Sequence, residues 1–196
     1  ISGPRYMPIL SRGIRQKENK FINQKPYNCL ISFGSVDKNN VTNKVINQIT
    51  KDIRMKKLLK PFCLVGKNFK YEEELNISLK SFNSYQIIRD VNSILDLKIH
   101  FQLALGSPGV SHSERLFLGI PTILFSQNYI HDEICEAWSK IDCAIYVDDY
   151  NKIVMSLNKL IENNFSLARK ISRNGQKEID GQGSNRIISK IKNLKF

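Results

Sequence analysis

Short runs rich in Ile, Leu and Phe alternate along this chain with amphipathic stretches of helical length. The apolar runs at 28–33, 61–65, 85–89, 101–105, 122–125 and 144–147 have the length and flanking turn residues of buried strands. Between them, helical patterning is read at 40–53, 72–81, 92–97, 110–118 and 132–140. In the first of these, Val41, Val45, Ile46, Ile49 and Ile53 recur at helical spacing, giving one apolar stripe to lay on a sheet. The alternation predicts an α/β fold, a Rossmann-like doubly wound parallel sheet of about six strands. After Tyr150 the strand signal stops, and Ile153, Leu157, Leu160 and Ile161 open a run of C-terminal helices punctuated by Gly175, Gly181 and Gly183.

The first 26 residues are basic and contain Gly3, Pro4, Pro8, Gly13 and Pro26, so they read as a connecting segment packed on a domain at 27–196. The chain opens on Ile1, which points to a piece of something longer. With 196 residues, 41% of them hydrophobic, there is material for a real core, and disorder or a disulfide scaffold is a poor fit. No apolar run of about 18 residues or secretory leader is visible, so the expectation is a cytoplasmic protein without an integral membrane segment. Cys29, Cys63, Cys135 and Cys143 lie far apart, with no metal-ligand spacing, and read as buried thiols. No metal and no cofactor are expected.

The net charge of +12 raises the question of nucleic acid. The charge is segregated: residues 1–70 hold 15 Lys and Arg against 3 Asp and Glu, residues 71–150 hold 5 against 12, and residues 151–196 hold 10 against 3. Generic solvated surface is one reading, and a basic face that meets an acidic partner or a neighbouring domain is the other. No nucleic-acid-binding signature accompanies it, so nucleic acid is not expected as a partner.

Doubly wound sheets bind ligands where the strand order reverses, here outside the carboxyl ends of the first and fourth strands. The first ends in Phe33-Gly34-Ser35-Val36-Asp37, and the fourth in Gly106-Ser107-Pro108-Gly109-Val110-Ser111. Both are small-residue turns feeding helices, so free amides and helix dipoles are expected to converge on one crevice suited to a phosphate. Glu114 falls early in the following helix, where a carboxylate can accept from sugar hydroxyls; a solvated glutamate is the alternative. The segment from Gln127 and Asn128 to Glu133 faces the same edge. His112 and His131 lie near it and His100 does not, but adjacent His131 and Asp132 point apart on a helix and make no dyad. No nucleophile elbow, HExxH or paired-carboxylate spacing occurs, so the catalytic residues remain unknown.

The run from Ala104-Leu105-Gly106 through Glu114, followed by Leu118-Gly119-Ile120-Pro121, resembles the nucleotide-binding half of GT-B enzymes, including the transferase that adds N-acetylglucosamine in peptidoglycan synthesis. Within that superfamily the chain resembles more closely the UDP-sugar hydrolase of pseudaminic acid biosynthesis and its spore-coat polysaccharide relatives. Gly3-Pro4-Arg5-Tyr6, Ile31-Ser32-Phe33-Gly34 with Asp37 and Thr42, Ser113-Glu114 with Gly119-Ile120-Pro121, and Asp180-Gly181-Gln182-Gly183 with Arg186 carry the likeness. The resemblance implies one half of a GT-B architecture that holds UDP or a UDP-sugar. Glu114 is then expected on the ribose, Gly106, Ser107, Gly109, Val110 and Ser111 on the diphosphate, and the backbone around Ile88 and Val91 beside the uracil. Gly34, Ser35 and Asn128 complete the expected nucleotide-binding set. The resemblance also implies that the catalytic histidine belongs to an N-terminal domain outside this sequence, so that this chain binds without turning over.

The chain departs from the family pattern at Ser35-Val36, at Pro108-Gly109-Val110 and at Tyr129. Pro108 removes an amide donor, and Val110 brings no hydroxyl. A GT-B glycosyltransferase donor domain is the alternative to the hydrolase, since water or an acceptor hydroxyl would be activated elsewhere. A non-catalytic sugar-nucleotide or interaction module is the third reading, favoured by Pro108 and Val110.

Overall fold

The computed structural model describes residues 3–9, 21 and 23–193. Six strands form one all-parallel sheet: β1 (Tyr27–Ser32), β2 (Leu59–Val65), β3 (Gln86–Arg89), β4 (Leu103–Gly106), β5 (Thr122–Phe125) and β6 (Ile145–Val147). Their order is β3-β2-β1-β4-β5-β6, so the sheet reverses its winding between β1 and β4, as the sequence predicts. The central strands are buried on both faces, which is why they read as unbroken apolar runs.

Helices α1 (Val41–Thr50), α2 (Ile53–Leu58), α3 (Glu72–Leu79), α4 (Val110–Phe117), α5 (Tyr129–Lys140), α6 (Ile153–Glu178) and α7 (Gly183–Lys192) connect and flank the strands. On one face of the sheet, the stripe of Val41, Val45, Ile46 and Ile49 joins Ile31, Leu105, Leu157 and Leu160 in the main core. The other face is smaller, with Leu30, Phe62, Ile94, Phe101 and Ala104 at its centre.

Three predicted helices change at their ends. The span 40–53 is two helices, because the Asp52 carboxylate accepts from the Met55 amide and starts α2 afresh. The span 92–97 contracts to a single 3-10 turn, Ile94–Asp96, whose first amides bond to the Ser93 hydroxyl and the Glu114 carboxylate. The last predicted helix before β6 begins three residues early, at Tyr129, because Asn128 caps it.

Helix α6 is broken at 162–165, where Asn163, Asn164 and Phe165 all adopt left-handed φ values near 49–60°. The break drives Phe165 into the core, edge-on to Tyr27 at 5.0 Å and beside Phe21 at 5.6 Å. In the 1–26 segment, residues 1, 2, 10–20 and 22 lie outside the described residues. Pro4–Tyr6 form a 3-10 turn on α7, where Arg186 donates to the Arg5 carbonyl at 2.9 Å and pairs with Asp180. Gly183 sits so close to the Met7 carbonyl that any β-carbon would collide with it.

Two outcomes follow from this packing. Phe165→Ala removes a fully buried ring from an aromatic cluster and is expected to cost about 3–5 kcal/mol in denaturant unfolding. The Arg186 guanidinium bonded to Asp180 holds that carboxyl down to about 2. Because the folded value is depressed, the pair's contribution is complete above about pH 4, the unfolded value, and is lost as pH falls towards 2. Asp180→Asn should flatten that part of the acid stability curve.

Candidate functional site

The carboxyl edge of the sheet carries a cleft of about 550 Å³ between the turns after β1, β2, β3 and β4. Gly34, Ser35 and Val36 line it from the β1 turn, Gly66, Lys67 and Asn68 from the β2 turn, Asp90, Val91 and Asn92 from the β3 turn, and Ser111 from α4. The β1 and β2 turns are in close contact, since a β-carbon on Gly66 would lie only 2.8 Å from the Ser35 α-carbon. Part of this wall is therefore main chain.

The register of β1 against β4 sets Ser32 opposite Gly106, which brings the two predicted turns side by side. The expectation that both offer open amides is corrected for the first. The buried Asp37 carboxylate accepts from the Val41 amide at 2.9 Å and the Thr42 amide at 2.8 Å, so it closes the end of α1 itself. Helix α5 is closed in the same way by Asn128, whose Oδ1 accepts from the His131 amide at 3.0 Å. Helix α3 begins with Glu72, Glu73 and Glu74, which complement its dipole. Helix α4 differs: Gly109 stands at its N-cap, and no side chain caps its first turn. At the reversal point of the sheet, this end is left for an outside acceptor.

Of the predicted nucleotide-binding residues, Gly34, Ser35, Val91 and Ser111 line the cleft. Gly106 and Ser107 are buried beneath it, and Gly109 and Val110 stand exposed at its rim. Ile88, whose backbone is the part expected beside a uracil, sends its side chain against the apolar cluster that holds Leu30 and Phe62. Asn128 is exposed at the head of α5, and Tyr129 beside it is 76% exposed. Glu114 is not a free carboxylate: it accepts from the Ser93 hydroxyl at 2.7 Å and the Ile94 amide at 2.9 Å. These bonds tie α4 to the loop that carries Val91. Gln127 makes a second tie, donating to the Phe33 carbonyl at 2.8 Å.

The histidines do not form a proton relay. Asp132 accepts from the Tyr146 hydroxyl at 2.5 Å, and Nδ1 of His131 has no partner. His112 is buried edge-on to Trp138 at 5.4 Å, and burial reinforced by Arg115 pushes it well below its usual range, so it is neutral. Arg115 was not singled out from the sequence, where it reads as an ordinary helix cation, yet it is 0% exposed. Its Nη2 donates to the Ser107 carbonyl at 2.6 Å, within the turn before α4. The Gly66-Lys67-Asn68 turn was also passed over, although its place at a strand's carboxyl end marked it. Cys29, Cys63, Cys135 and Cys143 are all buried and free, and burial raises each thiol. Among the described residues, no three His, Cys, Asp or Glu side chains are placed to hold a metal ion, and no helix is long and apolar enough to cross a membrane.

The six-stranded parallel sheet with flanking helices is a Rossmann-like domain of the kind that makes one half of a GT-B architecture. No family model matches the sequence. The uncharacterized protein MJ1062 of Methanocaldococcus jannaschii is 29% identical over 144 residues, covering 70% of this chain and 29% of its own length. In structure, the chain superposes on MnaA of S. aureus, solved with UDP, at a TM-score of 0.68 and 16% identity, over 85% of this chain and 45% of that one. MurG of Acinetobacter baumannii gives 0.69 at 13% identity, over 88% and 51% of the two chains. The UDP-GlcNAc 2-epimerase of Neisseria meningitidis, bound to UDP-GlcNAc, gives 0.64 at 16% identity, over 89% and 47%. The chain thus spans about half the length of these structures, and at such identities the likeness is one of fold.

The Glu114 ties predict a local effect. Glu114→Ala should speed hydrogen exchange at Ile94 and Leu95 by roughly ten-fold or more, reflecting about 1.5–3 kcal/mol of lost charged hydrogen bonding. Exchange in β1 and β4 should be unchanged.

Proposed function

We propose that this chain is the C-terminal, UDP-sugar-binding domain of a GT-B enzyme. The observation that carries the reading is the uncapped end of α4 at the reversal point of the sheet, beside a cleft lined by Ser35, Val91 and Ser111. In this reading the diphosphate accepts from the first amides of α4, with the Ser111 hydroxyl beside it. The uracil lies against Val91 and its neighbours in the loop after β3. Glu114 holds that loop and remains able to accept from a ribose hydroxyl, because each carboxylate oxygen has a second lone pair. Two solved neighbours of the same fold, one holding UDP and one holding UDP-GlcNAc, support a uridine nucleotide over other anions.

The finer reading is a domain of a hydrolase that releases UDP from a UDP-linked acetamido sugar, in sialic-acid-like sugar or surface polysaccharide biosynthesis. The four sequence segments that resemble that hydrolase support it. The base that activates water would belong to an N-terminal domain, so this chain by itself binds and does not turn over. A glycosyltransferase donor domain uses the same half-site, and the fold likeness to a lipopolysaccharide glycosyltransferase supports that second reading.

Calorimetric titration with UDP, and with CMP and ADP as controls, tests the common part. Selective binding of UDP is expected, and Glu114→Ala should weaken it by about 1–3 kcal/mol through the loosened loop and the lost ribose acceptor. A folded chain that takes up UDP no better than ADP would sink the proposal.

A further inference from the structure

Among the described residues, Arg115 is the one Lys or Arg that is fully buried. Its guanidinium lies directly under the β4–α4 turn: Nη2 donates to the Ser107 carbonyl, and a β-carbon on Gly106 would come within 2.8 Å of Nη1. Nε and Nη1 have no hydrogen-bond partner among the described residues. The neighbouring carboxylate, Glu114, commits an oxygen each to Ser93 and Ile94 and accepts nothing from Arg115, so it offsets the cation through its charge alone. His112 beside it is neutral, and the Cys135 thiol is raised by burial to about 12, so neither supplies a counter-charge. Burial pushes Arg115 down to about 9, which still leaves it cationic at neutral pH.

A buried cation whose hydrogen-bonding capacity is mostly unused costs stability. Here it lies behind the turn that leads into α4, whose first turn has neither a side-chain cap nor an acidic residue. Charge separated from a ligand by protein, with little water between them, acts at a low effective dielectric and is poorly screened by salt. We propose that Arg115 is a positioning residue that fixes the Gly106-Ser107 turn and supplies, from behind it, the positive charge that makes this site select a diphosphate over a neutral nucleoside. The proposal rests on the nucleotide reading of the cleft and deepens it. Arginine suits the role better than lysine because its planar fork can hold the carbonyl and it stays charged when buried.

Proton–nitrogen NMR titrations of the chain with uridine, UMP, UDP and inorganic pyrophosphate test this, for wild type, Arg115→Met, Arg115→Gln and Arg115→Lys. A folded neutral variant should lose at least about ten-fold in UDP affinity and less than about two-fold in uridine affinity, while Arg115→Lys keeps most of both. In wild type, the Arg115 Nε–H resonance and the Val110 and Ser111 amides should shift with UDP and pyrophosphate and stay in place with uridine. Equal losses for uridine and UDP would make Arg115 merely structural and overturn the proposal, as would an unchanged UDP affinity. If wild type takes up pyrophosphate but no uridine nucleotide, the nucleotide reading falls while Arg115 keeps its role, provided the neutral variants lose pyrophosphate. If wild type takes up neither, both fall. If no neutral variant folds, the wild-type Nε–H resonance decides: movement with pyrophosphate supports the proposal, and a fixed position overturns it.

Discussion

The parallel pairing of β1 with β4 is the constraint from which the rest of the candidate site follows. Ser32 lies opposite Gly106 in that ladder, so the turns leaving the two strands must emerge together. Helices α1 and α4 leave these turns on opposite faces of the sheet, and the cleft opens beside this point, between the turns after β1, β2 and β3 and Ser111 of α4. Gly106 is essential to this arrangement. Any β-carbon there would press on the Arg115 guanidinium below and overlap the Ser32 carbonyl across the ladder.

Parallel α/β sheets collect helix N-termini at one edge, and with them a surplus of partial positive charge. This chain neutralises most of it internally. Asp37 serves α1, Asn128 serves α5, and three glutamates stand in the first turn of α3. Next to the cleft, the helix end left without such an answer is that of α4, which has neither a side-chain cap nor an acidic residue in its first turn. The same residues also fix geometry, since Asp37 shapes the β1 turn and Glu114 links α4 to the β3 loop. Polar side chains that look ready for a ligand in the sequence are thus largely occupied with the walls of the cleft.

The strand order and the location of the cleft were legible because buried parallel strands leave an apolar run and their turns leave Gly, Ser and Pro. Helix ends were less legible, for local reasons. Asp52 restarts a helix inside a continuous apolar stripe, and hydrogen bonds donated to the Glu114 carboxylate, about twenty residues away, accompany the contraction of 92–97 to one turn. Of the residues expected on a nucleotide, Ser35, Val91 and Ser111 lie along the cleft, and the Ile88 side chain packs against the apolar cluster on the second face of the sheet. Arg115 left no trace in the pattern, because an arginine in an amphipathic helix has the same appearance whether it faces water or lies beneath a turn. Only the crossing of α4 over β4 and against α5 distinguishes the two.

The close approach of Gly66 to the Ser35 backbone has a consequence for divergence between related proteins. Where a binding surface is made of peptide groups, a ligand meets the same donors and acceptors whichever side chains the turns carry, provided the backbone path is kept. Such a surface can drift in amino-acid identity while its shape is retained, with glycine at the points of closest approach as the fixed element. A side chain such as Val36 can then vary at the wall of the cleft without altering the peptide groups beside it. Comparison by letters alone would therefore say little about whether the backbone path of such an edge is kept.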